Sequence, residues 1–305
     1  MIKQSTYLLF LLLLLYGSCF CAKKIDSDKN TILRKASKDK RKNNHIVRGP
    51  SYPYISGDTF RSLAKHILDE ESDICNPHII QHGDIVFVKT DFLDYFFQQK
   101  HPYIATKYIL ITHNSDIGAP GIFASFLNDE KIIAWFGQNG TIAHHPKFIP
   151  IPIGVANKYI SHGNEGHFNN ALKILKTKNT PREYLIGVNF KPDTLTRKPL
   201  YNYFKTKQCY FFLGTHEEYL ENMTNLIFVI SPPGNGYDCH RTWEALLMGA
   251  IPIVQSSPAD QMFEDLPVLI IKKEEWKEIS EEYLENVYQE MIKKTYNYEK
   301  VYFDY

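Results

Sequence analysis

The stretch FVISPPGNGYDCHRTWEALLMGAIPIV, residues 228–254, decides the fold class that we predict for this chain. An apolar run at Ile227–Ile230 leads into a Pro/Gly-rich loop, a helical pattern over about 238–248, a stop at Gly249 and a second apolar run, Ile251–Val254. A strand, a helix and a second strand in this order form a βαβ unit of a parallel sheet. The glycine loop would present backbone N–H groups at the start of the helix, where an anionic ligand is favoured.

The predicted helix has two different faces. One face would pack on a sheet, because its apolar residues recur at helical spacing; they are Trp243, Leu246, Leu247 and Ala250. Arg241 and Glu244 lie together on the opposite face, one turn apart. They either hold a diphosphate and a ribose, or form only a solvated salt bridge worth about 0.2–0.5 kcal/mol. The glycine loop before them favours the ligand interpretation.

Each residue around this loop has a predicted role. Ligands of doubly wound sheets bind outside the carboxyl ends of the strands, which is where the loop begins. We expect Gly234, Asn235 and Gly236 to bring backbone N–H groups near a diphosphate that Arg241 helps to neutralise. His240 either assists the phosphate or packs on the loop. Asp238 is predicted to be the N-cap of the helix, since Asp at that position satisfies helix N–H groups.

The same residues carry a family resemblance. SPPGNGYDCHRTWEALLMGAIPIV, residues 231–254, resembles the donor-site segment of the exostosin-like glycosyltransferases, in which a glycine loop precedes Arg-x-x-Glu on a helix and a Gly-x-Pro turn into a strand. Three more stretches are similar to the N-terminal half of viral and bacterial members: YILITHNSD at Tyr108–Asp116, IIAWFGQN at Ile132–Asn139 and HPKFIPIPIG at His145–Gly154. Together the resemblance covers roughly Ile85 to Ile271.

The resemblance implies a fold and an activity. The fold is α/β of the GT-B type, with two doubly wound Rossmann-type domains. The activity is transfer of a sugar, with inversion, from a nucleotide-diphosphate donor, which we expect to be UDP-linked, to a hydroxyl of a glycan or glycoconjugate. Donor binding would lie in the C-terminal domain, where Glu244 would accept hydrogen bonds from the ribose hydroxyls, and acceptor binding in the N-terminal domain.

Alternating strand and helix patterns give the expected domain boundaries. We predict an acceptor-side domain at 51–156, a hinge region at 157–180 and a donor domain at 181–305. A helical stripe is expected at Phe60–Leu68, and the proline-bearing segment Phe148–Ile153 is expected at a sheet edge or in an extended crossover. A long C-terminal amphipathic helix is marked by Trp276, Ile279, Tyr283, Val287 and Met291.

The N-terminal residues are predicted to lie outside the folded domains. Residues 1–22 have the short apolar block of a signal peptide or signal-anchor, and the basic stretch 23–50 is predicted to be a disordered linker. We expect entry to a secretory pathway, in the ER or Golgi lumen, or export to a periplasm. An uncleaved signal would attach the chain to a membrane. The formal net charge of +1 gives no support for a nucleic-acid partner.

The catalytic base of an inverting transfer is sought at strand ends of the N-terminal domain. The candidates are Asp116 and His113 in THNSD, with Asp91 in KTDF and Asn114 as an orienting group. The alternative for each is an ordinary turn residue.

We expect no obligatory metal. The pairs His144-His145 and His162 with His167 lie among Pro, Gly and Asn residues typical of surface loops. The cysteines beyond the signal, Cys75, Cys209 and Cys239, permit one disulfide and show no zinc spacing. The main functional alternative is a catalytically inactive surface or secreted protein that binds a glycan or nucleotide. An anchored adhesion protein would instead show no nucleotide affinity.

Overall fold

The computed structural model describes residues 48–212 and 214–303. They form two compact units: the first comprises residues 60–151, and the second combines residues 48–59 with residues 152–303. The five-residue helix α1 (Gly57–Arg61) contains the division between residues 59 and 60.

The first unit is built on a parallel sheet of five strands in the order β1-β2-β3-β4-β5. The strands are β1 (His66–Leu68), β2 (Ile85–Lys89), β3 (Tyr108–His113), β4 (Ile132–Gly137) and β5 (Phe148–Pro150). One α-helix, α2 (Leu93–Gln99), and short 3₁₀ segments such as Gly121–Asn128 connect them. Every residue of β3 is buried, as expected for a central strand covered on both faces.

Apolar cores lie on both faces of the first sheet. One includes Phe96 and Phe97 of α2 with Trp135 of β4, and the other includes Phe87 and Phe136. Because successive side chains of a strand point to opposite faces, neighbouring residues such as Trp135 and Phe136 enter different cores.

The second unit is built on another parallel sheet of five strands, in the order β10-β9-β8-β6-β7. The strands are β6 (Tyr184–Val188), β7 (Tyr210–Phe211), β8 (Leu226–Ser231), β9 (Ile251–Gln255) and β10 (Leu269–Ile271). The α-helices are α3 (Glu165–Thr177), α4 (Arg197–Phe204), α5 (His216–Met223), α6 (His240–Leu247) and α7 (Glu281–Met291). Gly249 ends the α6 segment with a φ of +67°, a left-handed conformation that favours glycine.

Strand order distinguishes the two sheets. In the second sheet the chain passes from β6 outward to β7 and then returns to β8 on the other side of β6. This is the 2-1-3-4-5 order of doubly wound folds, whose direction reverses between its first and third strands. In the first sheet the strands follow one another without a reversal. The prediction of a parallel α/β protein is confirmed, but the strand order of a doubly wound sheet occurs only in the second unit.

The βαβ unit predicted from residues 228–254 is confirmed as β8, α6 and β9. The proline-bearing segment that starts at Phe148 forms the edge strand β5, also as predicted. The helical stripe predicted at Phe60–Leu68 is wrong, because residues 66–68 pair in register with residues 86–88 of β2. Pairing with a distant strand outweighs local periodicity there.

Two further expectations differ from the structure. The predicted hinge region, 157–180, contains the 13-residue helix α3, which Asn164 caps and whose Phe168 is fully buried in the second unit's core. The predicted long C-terminal helix is divided: Trp276 lies in a 3₁₀ segment, and Ser280 caps the separate helix α7 by accepting a hydrogen bond from the N–H of Tyr283. A polar side chain that satisfies helix N–H groups starts a new helix in both places.

The signal peptide or signal-anchor predicted at 1–22, and all of the linker predicted at 23–50 except residues 48–50, lie outside the described residues. Within residues 48–303, as far as they are described, no helix is long and apolar enough to span a membrane.

Candidate functional site

The candidate site lies at the carboxyl ends of β6 and β8 in the second unit. β8 ends at Ser231, and residues 232–239 lead into α6, whose N-cap is Cys239. β6, the neighbour of β8, ends at Val188 and is followed by Asn189. Since the strand order reverses between these two strands, their carboxyl ends are the expected ligand position of the sheet.

Asp238 does not have the predicted capping role. Its buried carboxylate accepts hydrogen bonds from the Trp243 indole (2.8 Å to Oδ2), from the N–H of Ile153 (2.7 Å) and from the N–H of Cys239 (2.8 Å). Burial raises the pKa of Asp238 to about 6, although these hydrogen bonds act in the opposite direction. Asp238 therefore fixes the start of α6 to residue 153, and Cys239 occupies the N-cap without capping the helix through its side chain.

The glycine loop is held by an arginine that sequence reasoning missed. Arg197, at the start of α4, donates from Nε to the carbonyl oxygen of Pro233 at 3.1 Å. A Cβ atom at Gly234 would lie 2.7 Å from Nη2 of Arg197, so only glycine allows this approach. The N–H of Gly234 donates to the carbonyl oxygen of Gly236 at 3.0 Å. That N–H thus stabilises the loop itself, which corrects its predicted role toward a diphosphate. Asn235, the next residue of the loop, is exposed.

Arg241 lies over the end of β6. Its Nε donates to the carbonyl oxygen of Asn189 at 3.2 Å, and its guanidinium carbon lies 5.6 Å from the ring centre of Phe190. Among the described residues, the buried Nη1 of Arg241 and both polar side-chain atoms of Asn189 have no hydrogen-bond partner. Each such group costs about 1–3 kcal/mol of stability. A protein retains such groups where they serve a ligand, a water or a functional state.

Glu244 is buried, so the alternative of a salt bridge with Arg241 on a solvated helix face is wrong. It is 5% exposed, and its two oxygens accept hydrogen bonds from Nε2 of His216 at 3.0 Å and from the hydroxyl of Tyr219 at 3.2 Å. Burial opposes ionisation, but the hydrogen bond from His216 outweighs it, with electrostatic contributions from His216, His240 and Arg241, and the pKa of Glu244 is lowered. Among the described residues Glu244 forms no salt bridge with Arg241, and its Oε1 is instead paired with Nε2 of His216.

His240 is hydrogen-bonded to a segment distant in sequence. Its Nδ1 donates a hydrogen bond to the carbonyl oxygen of Gly154 at 2.7 Å, which assigns the proton to that nitrogen because a carbonyl only accepts. Gly154 adopts a φ of +66°, and a Cβ atom there would lie 2.1 Å from the carbonyl oxygen of Ile55. His240 thus anchors a tightly turned segment of the second unit.

The candidate bases lie at the carboxyl edge of the first sheet. His113 is 1% exposed, packs 5.4 Å from the ring of Phe60 and accepts the N–H of Asn114 at Nδ1 (2.7 Å). Asp116 is exposed in the loop after β3. The geometry therefore favours Asp116 over His113 as a group that a substrate can reach.

Two neighbouring strands add acceptor atoms at this edge. Asp91 follows β2, and its Oδ2 makes no hydrogen bond among the described residues, lying 3.9 Å from Nζ of Lys89. Gln138 follows β4 and is 2% exposed, with an Oε1 that also has no partner there. Sequence reasoning singled out Asp91 and missed Gln138, whose only signal was its position directly after an apolar strand.

The histidine pairs and cysteines considered as metal ligands do not form a metal site among the described residues. His162 and His167 approach a third histidine, His216, with ring centres 5.2 and 5.6 Å away, whereas nothing in the sequence pattern pointed to that third residue. Over the described part of the chain, no group of three His, Cys, Asp or Glu side chains is arranged to hold a metal ion. Cys75, Cys209 and Cys239 are free thiols.

Comparison with known proteins assigns no family. No protein-family model matches the chain, and a search of curated proteins also finds no match. The interpretation of the site therefore rests on its geometry and on the resemblance of the segment at 231–254.

Proposed function

We propose that this protein is a glycosyltransferase of exostosin-like, GT-B type. It would transfer a sugar from a nucleotide-diphosphate donor, UDP-linked, to a hydroxyl of a glycan or glycoconjugate, with inversion. The observation that carries the proposal is the buried Nη1 of Arg241 beside Asn189, where the strand order of the second sheet reverses; this nitrogen has no hydrogen-bond partner within the described part of the chain. A guanidinium in this position is suited to an anionic group.

The chemistry follows from the charge that develops in the reaction. When the sugar–phosphate bond breaks, negative charge accumulates on the departing nucleoside diphosphate. Arg241 would stabilise that charge through charge-assisted hydrogen bonds, and a fixed cation stabilises it without reorganisation during the reaction. The loop at 232–237, fixed by Arg197, would lie beside the diphosphate, and Glu244 would accept hydrogen bonds from the ribose.

The acceptor is proposed to bind the first unit. Oδ2 of Asp91 and Oε1 of Gln138, which accept no hydrogen bond from any described residue, are acceptors that suit the hydroxyl groups of a sugar. Asp116 is the proposed base that removes the proton of the attacking hydroxyl, since it is exposed at the end of β3 and His113 is not.

The remaining parts of the proposal come from the sequence. No obligatory metal and no nucleic-acid partner are proposed. We place the protein in the secretory pathway or, in a bacterium, in the periplasm, with attachment to a membrane if the segment at 1–22 is retained.

A second candidate is a protein that binds a nucleotide or glycan without turnover. The observation that favours it is the burial of His113, which removes one of the two candidate bases from contact with a substrate. Both candidates require nucleotide or glycan affinity, so they differ only in turnover.

The test is a thermal-shift screen of the purified protein against UDP, GDP, ADP, CMP and their sugar conjugates. A ligand at about 100 times its dissociation constant stabilises the fold by about 2.7 kcal/mol, which is a measurable rise in melting temperature. We expect a selective response to UDP and UDP-sugars, followed by release of UDP when a glycan mixture is added. Nucleotide binding without release under any acceptor would favour the second candidate, and no response to any nucleotide would refute the proposal.

A further inference from the structure

A chain of hydrogen bonds connects three helices of the second unit and ends at Glu244. It begins at Asn164, the N-cap of α3, whose Nδ2 lies 3.1 Å from Nε2 of His167. Nδ1 of His167 lies 3.3 Å from Nδ1 of His216, the first residue of α5. Nε2 of His216 lies 3.0 Å from Oε1 of Glu244 in α6. We call these four residues the α3–α5–α6 relay.

The direction of every hydrogen bond in the relay is fixed by a helix cap. Oδ1 of Asn164 accepts the N–H of Gly166 at 2.9 Å, so its amide nitrogen must face His167 and donate. Nε2 of His167 is then an acceptor, which leaves the proton of the neutral ring on Nδ1. That proton is donated to Nδ1 of His216, and the proton of His216 therefore lies on Nε2, directed at Glu244.

Glu244 receives a second fixed hydrogen bond. The hydroxyl of Tyr219, one turn after His216 in α5, donates to Oε2 at 3.2 Å. The carboxylate is thus held at both oxygens by two side chains of one helix. Each carboxylate oxygen can accept two hydrogen bonds, so one lone pair remains on each for a ligand hydroxyl.

We infer that the relay positions the Glu244 carboxylate for recognition of the ribose of the donor, with His216 and His167 as positioning residues that do not touch the ligand. The inference rests on the proposed function, because it takes the ribose contact of Glu244 from there. A carboxylate held by two donors presents its remaining lone pairs in one orientation, and ordered partners of a binding group are what give that group its selectivity.

The experiment compares binding of three probes by calorimetry: UDP, 2′-deoxy-UDP and inorganic pyrophosphate. The full chain is used as wild type and as the variants Glu244→Gln, His216→Ala, His216→Gln and His167→Ala. The matched control is His162→Ala, since His162 packs edge-on against His216, with ring centres 5.2 Å apart, and lies outside the relay. Pyrophosphate lacks a ribose, so its binding shows that the anion site of each variant is folded.

We expect the wild type to bind UDP about 10-fold or more tightly than 2′-deoxy-UDP, as for loss of one hydrogen bond to a charged group. That ratio should fall toward 1 in Glu244→Gln and His216→Ala and fall partly in His167→Ala, while pyrophosphate affinity is retained. His216→Gln should restore the ratio, since an amide can donate to Glu244 and accept from His167, and His162→Ala should keep it.

Three results would overturn the inference. Only the last of them would also refute the proposed function. An unchanged ratio in His216→Ala would show that Glu244 needs no positioning by the relay. Equal affinity of the wild type for UDP and 2′-deoxy-UDP would remove the ribose contact but leave nucleotide binding intact. Absence of binding of any nucleotide by the wild type would refute the proposed function itself.

Discussion

The two units contain parallel sheets of the same size whose strand orders differ. In the first sheet the strands lie in chain order from β1 to β5, whereas in the second the chain places β7 outside β6 and β8 inside it. Only the second order contains a reversal, and a reversal sends the loops after two adjacent strands in opposite directions. The position of the candidate anion site therefore follows from the strand order of the second sheet. The segment at 231–254 supplies the residues that line this position.

The polar groups at the two carboxyl edges differ in character. Those without hydrogen-bond partners among the described residues include oxygens of Asp91 and Gln138 in the first unit and a guanidinium nitrogen of Arg241 in the second. An edge of acceptor oxygens suits hydroxyl groups, and a buried cation suits an anion. The contrast corresponds to the division between sugar acceptor and nucleotide donor in the proposed function.

The largest expected effect tests whether the two units are stable independently. Trp135 is fully buried in the first unit and donates from its indole to Oγ1 of Thr112 at 2.8 Å. Trp135→Ala should lower the unfolding free energy of that unit by about 3–5 kcal/mol, because it leaves a large cavity and an unpaired hydroxyl. The chain has three tryptophans, and the other two, Trp243 and Trp276, lie in the second unit.

Fluorescence of the Trp135→Ala variant therefore reports on the second unit alone, while circular dichroism reports on both. In this variant, we expect the urea midpoint measured by fluorescence to stay near the wild-type midpoint of the second unit. Part of the circular dichroism signal should be lost at a lower urea concentration, because the first unit unfolds there. A common, lowered midpoint by both probes would show that the units unfold as one and would remove the basis for treating their sites separately.

The next effect is an opposite pH dependence of stability in the two units. Burial raises the pKa of Asp238 in the second unit to about 6, above its ordinary value of 3.8. The folded state thus binds this proton more tightly than the unfolded state, and the unfolding free energy should fall as pH rises from about 4 to 6, by about 3 kcal/mol at most. The slope should be absent in Asp238→Asn, because that variant has no carboxyl group to titrate at this position.

Asp84 in the first unit has the reverse sign. Burial opposes its ionisation, but hydrogen bonds from Lys65, the N–H of Gln81 and His66 outweigh burial and lower the pKa to about 2. Its stabilisation is complete above the ordinary value and is lost as pH falls toward 2. Urea unfolding of Asp84→Asn and Asp238→Asn between pH 2 and 7 measures both slopes. Equal slopes in the wild type and Asp238→Asn would mean that Asp238 is ionised with an ordinary pKa in the fold.

Local sequence patterns predicted the elements whose periodicity agrees with their tertiary environment. The buried strands and the βαβ unit at 228–254 belong to this group, because continuous apolar runs and a glycine stop carry their own signal. The apolar stripe at Phe60–Leu68 led to a wrong prediction of a helix, because pairing with β2 determines the conformation of residues 66–68. The predicted hinge failed at Asn164, a helix cap within a segment that reads as polar.

The candidate site was predicted only in part, for a related reason. Arg241 was identified because it follows a glycine loop, but the burial of Glu244 depends on His216 and Tyr219, which are 28 and 25 residues away in the chain. Asp238 lies where the sequence predicts a helix N-cap. Its carboxylate instead accepts hydrogen bonds from the indole of Trp243 and from the N–H of residue 153, 85 residues away. Contacts of this kind arise from the order of the strands, which periodicity does not encode.

The smallest expected effect tests whether the anion site is confined to the second unit. Arg241→Ala should weaken UDP binding by about 10- to 150-fold, equivalent to about 1.5–3 kcal/mol, because it removes charge-assisted hydrogen bonds to the diphosphate. Arg241→Lys keeps the charge but loses the planar fork, so it should recover only part of the affinity. The matched control in the first unit is Lys89→Ala, which removes a cation paired with Glu70 at 3.2 Å at the carboxyl end of β2. Calorimetric titration with UDP should give the wild-type dissociation constant for this control, and a loss as large as that of Arg241→Ala would show that the anion site is not confined to the sheet whose strand order reverses.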